Sequence, residues 1–405
     1  MRHKRYTEGK RGEVIRMILE NGFLPLDVLR LYEKKDTVML QRTVRTMKAE
    51  SVLSECKTIS GIKYVRLTKT GEDIVIGEAN AELVNRYTSP RIKDNLRYVG
   101  IGKQDRSNKD REVIYKMQQN KIVNDVCARL FSDLCGIERR ESIEMVDVTQ
   151  NETAYFDSAT LKSMGGFSAT KDSASKQITN SRINGLSVSS GGIYSVYSIG
   201  KIVPQWSKTG ETKIEAYIRA LTSRNIEGVS MSDFFQEAVV LSTLNPAFVR
   251  IMQNQYKKGS QRRILMNIDH AYECMYSIPY TNDGIKIFRL MNIAGWQRKI
   301  KEQVLTYDEI EESHYVSVAC DGYDKATRTY KLIYCIPNMN KLQSFANRAA
   351  MKTDVETYQV YCYKSQLPIV VPMVQGYAKV FVIDIEDMIR EVSGSEELLP
   401  ETAVL

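Results

Sequence analysis

Apolar residues recur at helical spacing in three short stretches near the start of the chain. Val14, Ile15, Ile18 and Leu19 share one side of a helix predicted over residues 13–21, which Asn21-Gly22 would stop. Pro25 opens a second helix over 26–35, with Leu26, Leu29 and Leu31 or Tyr32 turned inward. A third follows almost at once, within residues 36–53. Val38, Leu40, Val44 and Met47 form its apolar side, and Asp36 or Thr37 can accept the unpaired amide hydrogens of its first turn. The period then changes. Residues 52–59 and 62–67 read as two strands around Ser60-Gly61, where Gly61 can take the positive φ of a tight hairpin. The phrase Leu-Thr-Lys-Thr-Gly at 67–71 closes the segment, and a helix over 72–85 leads out of it.

Further on, residues 88–109 have no period and read as a connector, whereas 110–139 carry Val113, Ile114, Met117, Ile122, Val126, Leu130 and Leu134 at helical spacing. That stripe is read as packing surface, with a dimer seam as the other use of such a face. Residues 151–192, rich in Ser, Thr, Gly and Asn, read as a long surface loop. Beyond it, 192–198 and 201–206 alternate around Gly200 and predict a second hairpin. A helix is expected over 212–221, with Ile214, Tyr217, Ile218 and Leu221 inward. Strands are expected at 237–242, 263–267, 284–290, 315–320, 329–336, 358–363, 369–374 and 379–383. A helix capped by Asn338 should run over 338–350, and a short acidic helix and a disordered tail end the chain. Strands interleaved with helices predict an α+β protein: a small domain over 1–80, a linker and helical segment over 81–145, a mixed α/β domain over 146–392 and a tail over 393–405.

Charge sharpens the reading of the first segment. Residues 1–71 hold 16 Lys and Arg against 8 Asp and Glu, the whole net excess of +8, which leaves 41 of each sign in the remaining chain. Helix, helix, helix, hairpin is the order of a winged helix-turn-helix, and many bacterial winged-helix regulators end the wing with a Leu-Thr-x-x-Gly phrase. Concentrated positive charge suits a polyphosphate, because neutralising phosphates releases condensed counterions. On the third helix Gln41, Arg42, Arg45 and Lys48 lie three and four residues apart, side by side. Arg and Gln match guanine and adenine edges, so these four are expected in a major groove, with Lys57, Lys63 and Arg66 of the wing on phosphates. An ordinary solvated helix face is the plain alternative. A winged fold that binds protein is another.

The rest of the composition removes options. With 43% hydrophobic and 26% charged residues over 405 positions, the chain is that of a globular protein large enough for more than one core. No apolar run approaches the roughly 18 residues of a membrane span, and the basic start has no apolar segment behind it, so no membrane partner is expected. Seven scattered cysteines (Cys56, Cys127, Cys135, Cys274, Cys320, Cys335, Cys362) without a CxxC pair fit reduced thiols of a cytosol. His3, His270 and His314 give no zinc spacing, and no GxxxxGK[ST] loop occurs, so neither metal nor cofactor is expected. Glu211-Thr212-Lys213 has the acid-x-Lys triplet of magnesium-dependent nucleases, but it opens a predicted helix and the preceding strands lack a partner acid. There Glu211 reads as a favourable charge near a helix N-terminus. Asp321, Asp324, Asp384 and Glu386 stand near strand ends, while Asp321-Gly322 and Asp283-Gly284 read as turn dipeptides.

Taken together, the N-terminal pattern, the stretch GIYSVYSIGKIVPQW (192–206) followed by Glu211 and a helix, and ACDGYDKATRTYKLIYCIPNMNKLQSF (319–345) resemble the replication-relaxation proteins. These are DNA-binding accessory proteins of conjugative elements and plasmids in Gram-positive bacteria. The resemblance implies a winged helix followed by a restriction-endonuclease-like domain. Here the metal-binding acid expected before Glu211 is absent, so that domain reads as a degenerate, non-catalytic scaffold. It further implies a double-stranded DNA partner, relaxosome or replication proteins as companions, and a cytoplasmic setting; a homodimer is compatible with it. The competing functions are a magnesium-dependent nuclease and a transcriptional regulator.

Overall fold

In the computed structural model the described residues are 5–32, 39–89, 108–141, 146–165, 182–200, 208–227, 237–242, 272–351 and 355–393; among these the side chains of 108–116, 118, 162–165, 208–210 and 213 are left aside. The chain is mixed α+β. It divides into two compact units, Met1–Leu134 with Gly200–Ile202, and Cys135–Ile199 with Val203–Leu405.

In the first unit, helix α1 (Gly9–Asn21) buries Val14, Ile15, Met17, Ile18 and Leu19. It ends where Gly22 adopts φ 83° and returns its N–H to Ile18 O, as the Asn-Gly stop anticipates. A two-residue strand β1 (Leu24–Pro25) precedes helix α2 (Leu26–Leu29), which tightens into a 3₁₀ turn at Arg30–Tyr32. Helix α3 (Met39–Ala49) buries Leu40, Val44 and Met47 and packs on α1; its expected caps Asp36 and Thr37, with Val38, lie outside the described residues. Strands β2 (Leu53–Lys57) and β3 (Lys63–Leu67) form the expected antiparallel hairpin, and β1 adds to β3 as a third strand. Gly61 takes φ 86° in the turn.

The Leu-Thr-Lys-Thr-Gly phrase is a helix start. Thr68 caps helix α4 (Lys69–Glu78), its hydroxyl accepting the Gly71 N–H at 2.9 Å. A Cβ on Gly71 would stand 2.1 Å from Val52 O, so only glycine lets the helix rest against the hairpin base. Asn80 breaks the helix expected over 72–85 and caps α5 (Ala81–Thr88), so one predicted helix is two. Helix α6 (Asn108–Leu134) buries Val123, Val126, Cys127, Ala128, Leu130 and Phe131. Its Asn120 and Gln119 meet Ser60 and Tyr64 of the hairpin, and Leu130 O accepts the Tyr32 hydroxyl at 3.2 Å. Those contacts tie it to the first unit, whereas the sequence pattern places it in a linker. The aperiodic 90–107 lies outside the described residues.

The second unit holds two larger sheets. The first has the order β10-β9-β7-β6-β5, built from β5 (Ala154–Asp157), β6 (Gly185–Ser189), β7 (Gly192–Ile199), β9 (Glu237–Ser242) and β10 (Cys274–Pro279). β7, β9 and β10 run parallel; β6 and β5 are antiparallel. A small parallel pair, β4 (Val146–Asp147) with β8 (Ile226–Glu227), stands apart. Both faces of the larger sheet are covered, which explains its nearly continuous apolar strands. Tyr197, Ala238, Val240 and Met275 pack with Ile214 and Ile218 of helix α8 (Lys208–Asn225) on one face. On the other, Tyr194 and Tyr276 meet Phe288 and Trp296 edge-on.

Three expectations fail here. β7 pairs with β6 and β9 on its two sides, so its hairpin partner is β6 through Ser190-Gly191; the expected partner 201–206 lies outside the described residues, as does 263–267. The supposed long loop contains β5, helix α7 (Ser158–Gly165) and β6, because its small residues line a buried sheet; only 166–181 of it is not described. Residues 284–290 are not a strand but part of helix α9 (Asn282–Met291), whose first turn Thr281 caps. Ile285, Phe288 and Met291 fall on one helical side, a period masked by the local alternation of Ile285-Lys286-Ile287.

Helices α10 (Trp296–Val304) and α11 (Tyr307–Ser313) lead to the second sheet, ordered β11 (Gly322–Asp324), β12 (Thr329–Ile333), β13 (Thr357–Tyr363) and β14 (Lys379–Ile383). Residues 315–318 are turn and bend and 319–320 are irregular, so no strand forms there. Helix α12 (Met339–Ala349) has the expected Asn338 cap, bonded to Lys341 N at 3.1 Å. The run 369–374 is helix α13 (Leu367–Val374), and its Pro372 could not complete a strand ladder. The acidic helix α14 (Ile385–Ser393) follows β14, and the tail lies outside the described residues.

Candidate nucleic-acid interface

The side of α3 opposite its buried Leu40, Val44 and Met47 carries Arg42 and Arg45, both exposed, one helical turn apart. Among the described residues neither has an ion-pair partner. Gln41 and Lys48 are half-buried beside them. The hairpin brings its own cations to this helix. By the two-residue period of a strand, Leu53, Glu55 and Lys57 of β2 share a face with Lys63 of β3, and Lys57 stands directly across from Lys63. Glu55 holds the arrangement together. Its Oε2 pairs with Lys48 of α3 and its Oε1 lies 3.5 Å from Lys63. The hydrogen bond from Lys48, acting with both lysine charges against partial desolvation, keeps the Glu55 carboxyl below its ordinary range.

Arg66 is separated from this group. It alternates to the other face of β3, opposite Ser54, where its charge acts on Tyr87 of α5. The hairpin tip is not free either. Thr58 and Ser60 are buried, and the Ser60 N–H donates to Asn120 Oδ1 of α6 at 3.3 Å. Of the seven residues singled out in the sequence, the structure therefore gathers Gln41, Arg42, Arg45, Lys48, Lys57 and Lys63 around α3 and the adjoining hairpin face, and turns Arg66 away. Glu55 had no signal in the sequence, because it reads as an ordinary strand acid until Lys48 is brought across from the helix.

The second unit places its acids differently. Glu211 is 2% exposed in the first turn of α8, where its Oε2 accepts the Tyr197 hydroxyl at 2.6 Å and its Oε1 the Arg182 N–H at 3.3 Å. Tyr197 in turn meets the Tyr272 hydroxyl at 2.7 Å. Asp324 and Asp384 bond main-chain N–H groups of the residues just after them, as turn and cap acids do. Asp321 is buried with Lys301 Nζ at 3.0 Å and Lys341 Nζ at 2.5 Å. Asp283 lies in the first turn of α9, and Glu386 pairs with Lys286. His314 caps the C-terminus of α11; His270 lies outside the described residues. Among the described residues no group of three His, Cys, Asp or Glu could hold a metal ion.

A buried carboxylate that sequence reasoning missed is Glu237, the first residue of β9. Its Oε1 accepts the Tyr276 hydroxyl at 2.6 Å and Gln297 Nε2 at 3.3 Å. Burial pushes its acid up to about 7, over the opposing hydrogen bonds from Tyr276 and Gln297. A raised acid means that the fold retains a proton the unfolded chain releases. Stability should then fall as pH rises from the ordinary 4.5 through about 7, and level off above it. Glu237→Gln is expected to flatten this dependence and to melt above the native protein at alkaline pH, with little difference near pH 4.5, as thermal unfolding followed by circular dichroism would show.

No protein-family model, curated protein or solved structure matches this chain.

Proposed function

We propose that the first unit binds double-stranded DNA, with α3 as the helix that enters the major groove. The observation that carries this reading is the exposed pair Arg42 and Arg45 beside a lysine-bearing hairpin face, in the segment that holds the whole net positive charge. The element order of α1, α2, α3 and hairpin is that of a winged helix-turn-helix. In this reading Arg42, Arg45 and Gln41 contact base edges, and Lys57 and Lys63 meet phosphates. Lys48 and Glu55 form a support that sets the angle between helix and hairpin, and Arg66 takes no part. The resemblance to replication-relaxation proteins extends the proposal to an accessory role in the replication or transfer of a mobile element.

The test is titration of a labelled duplex pool at several salt concentrations. The two phosphate contacts of Lys57 and Lys63 should make log affinity fall against log salt with a slope of about −2. Binding that ignores salt, or no binding to any duplex at low salt, overturns the proposal. Tight salt-insensitive capture of a protein by the same surface would assign it to a protein partner instead.

A further inference from the structure

β14 closes one edge of the second sheet, and no strand among the described residues pairs with its outer side. Edge strands are ordinarily blunted by charge, proline or a bulge, because their open N–H and C=O groups template pairing with another chain. β14 has none of these within its central residues. Val380, Phe381 and Val382 lie between a single Lys379 and Ile383, with Phe381 41% and Val382 54% exposed. The apolar groups emerge on both faces of the strand. Phe381 shares a face with Tyr361 of β13, their rings stacked at 5.0 Å and 17°. Val382 points to the opposite face, with Val380.

We propose that β14 pairs antiparallel with β14 of a second copy of this chain, joining two four-stranded sheets into one of eight. A two-fold axis normal to the sheet requires residues facing each other to lie on the same side, which permits a register centred on Phe381. That register sets Phe381 against Phe381, Val380 against Val382 and Lys379 against Ile383. Each strand is then its own complement. The stacked pair Tyr361–Phe381 extends across the axis into a ladder of four rings, the kind of cross-strand aromatic contact that stabilises sheets. Charge selects the same direction. Lys379 opens the strand and Asp384 follows it, so antiparallel pairing brings the cationic end of one copy to the anionic end of the other. Parallel pairing would set like against like. A five-residue edge buries less than a standard interface, so the dimer is expected to be weak and concentration-dependent.

Sedimentation of the full chain over the micromolar range tests this, with Phe381→Lys, Val382→Lys and, as a control remote from the edge, Tyr315→Lys. Native protein and the Tyr315 variant should pass from monomer to dimer with rising concentration. Either edge variant should remain monomeric across the same range; Val382→Lys, at the more exposed position, should leave the melting temperature unchanged, while Phe381→Lys gives up the stack on Tyr361 and should melt slightly lower. A native chain that stays monomeric throughout overturns the proposal. So does a dimer that survives both edge substitutions.

Discussion

Replacing Arg42 and Arg45 together with alanine should abolish tight duplex binding and leave the fold intact. Each arginine that reaches a base edge is expected to contribute about 1–3 kcal/mol, and its loss should relax sequence preference as well as weaken affinity. Both side chains are exposed on α3, and the helix is held by Leu40, Val44 and Met47 on the other side, so the substitutions remove no packing. Fluorescence anisotropy against a selected duplex and against random duplexes separates the two effects. Lys57→Ala and Lys63→Ala should instead weaken all duplexes alike and reduce the salt slope by about one each. Unchanged affinity of the double arginine variant for every duplex would remove α3 from the interface.

The second large effect concerns stability. Asp321 is buried and accepts Lys301, Lys341 and the Ile333 N–H, the last at 3.0 Å. It joins the end of α10 and the start of α12 to strand β12. Burial pushes its carboxyl up, but Lys341 and Lys301 together outweigh that and hold it below the ordinary 3.8. Removing one partner of a buried pair costs about 3–5 kcal/mol, because the remaining charge is left uncompensated. Here the lysine side chains are each 27% exposed and can turn to water, which places Asp321→Ala near the lower end. The sign with pH follows from a depressed acid. Its contribution is fully present above the ordinary carboxylate value and is lost as pH falls through the lower folded value. Chemical denaturation at neutral pH and at pH well below 3.8 should show the native protein losing its advantage over Asp321→Ala on acidification. A variant as stable as the native chain at neutral pH would assign the triad no net role.

Glu237 and Asp321 show how similar acids diverge. Tyr276 and Gln297 offer Glu237 hydrogen bonds without charge, and burial prevails. Two ammonium groups offer Asp321 charge, and burial loses. Neither outcome follows from neighbours in sequence, because the deciding groups come from other elements.

The amino-acid order by itself determined what depends on near neighbours. The stop at Gly22, the turn at Gly61, the cap at Asn338 and the buried sides of α1 and α3 are local hydrogen-bonding and periodicity effects, legible within a few residues. The concentration of positive charge and the row Arg42, Arg45 were equally legible. Tertiary structure decided everything that depends on which edge of a sheet is already occupied. β7 turns to β6 because its other side belongs to β9. It also decided that Lys48 and Lys63 share Glu55 while Arg66 faces elsewhere. The physical reason is range: periodicity and capping act over one or two turns, whereas pairing, desolvation and charge contacts join residues that only the folded chain brings together.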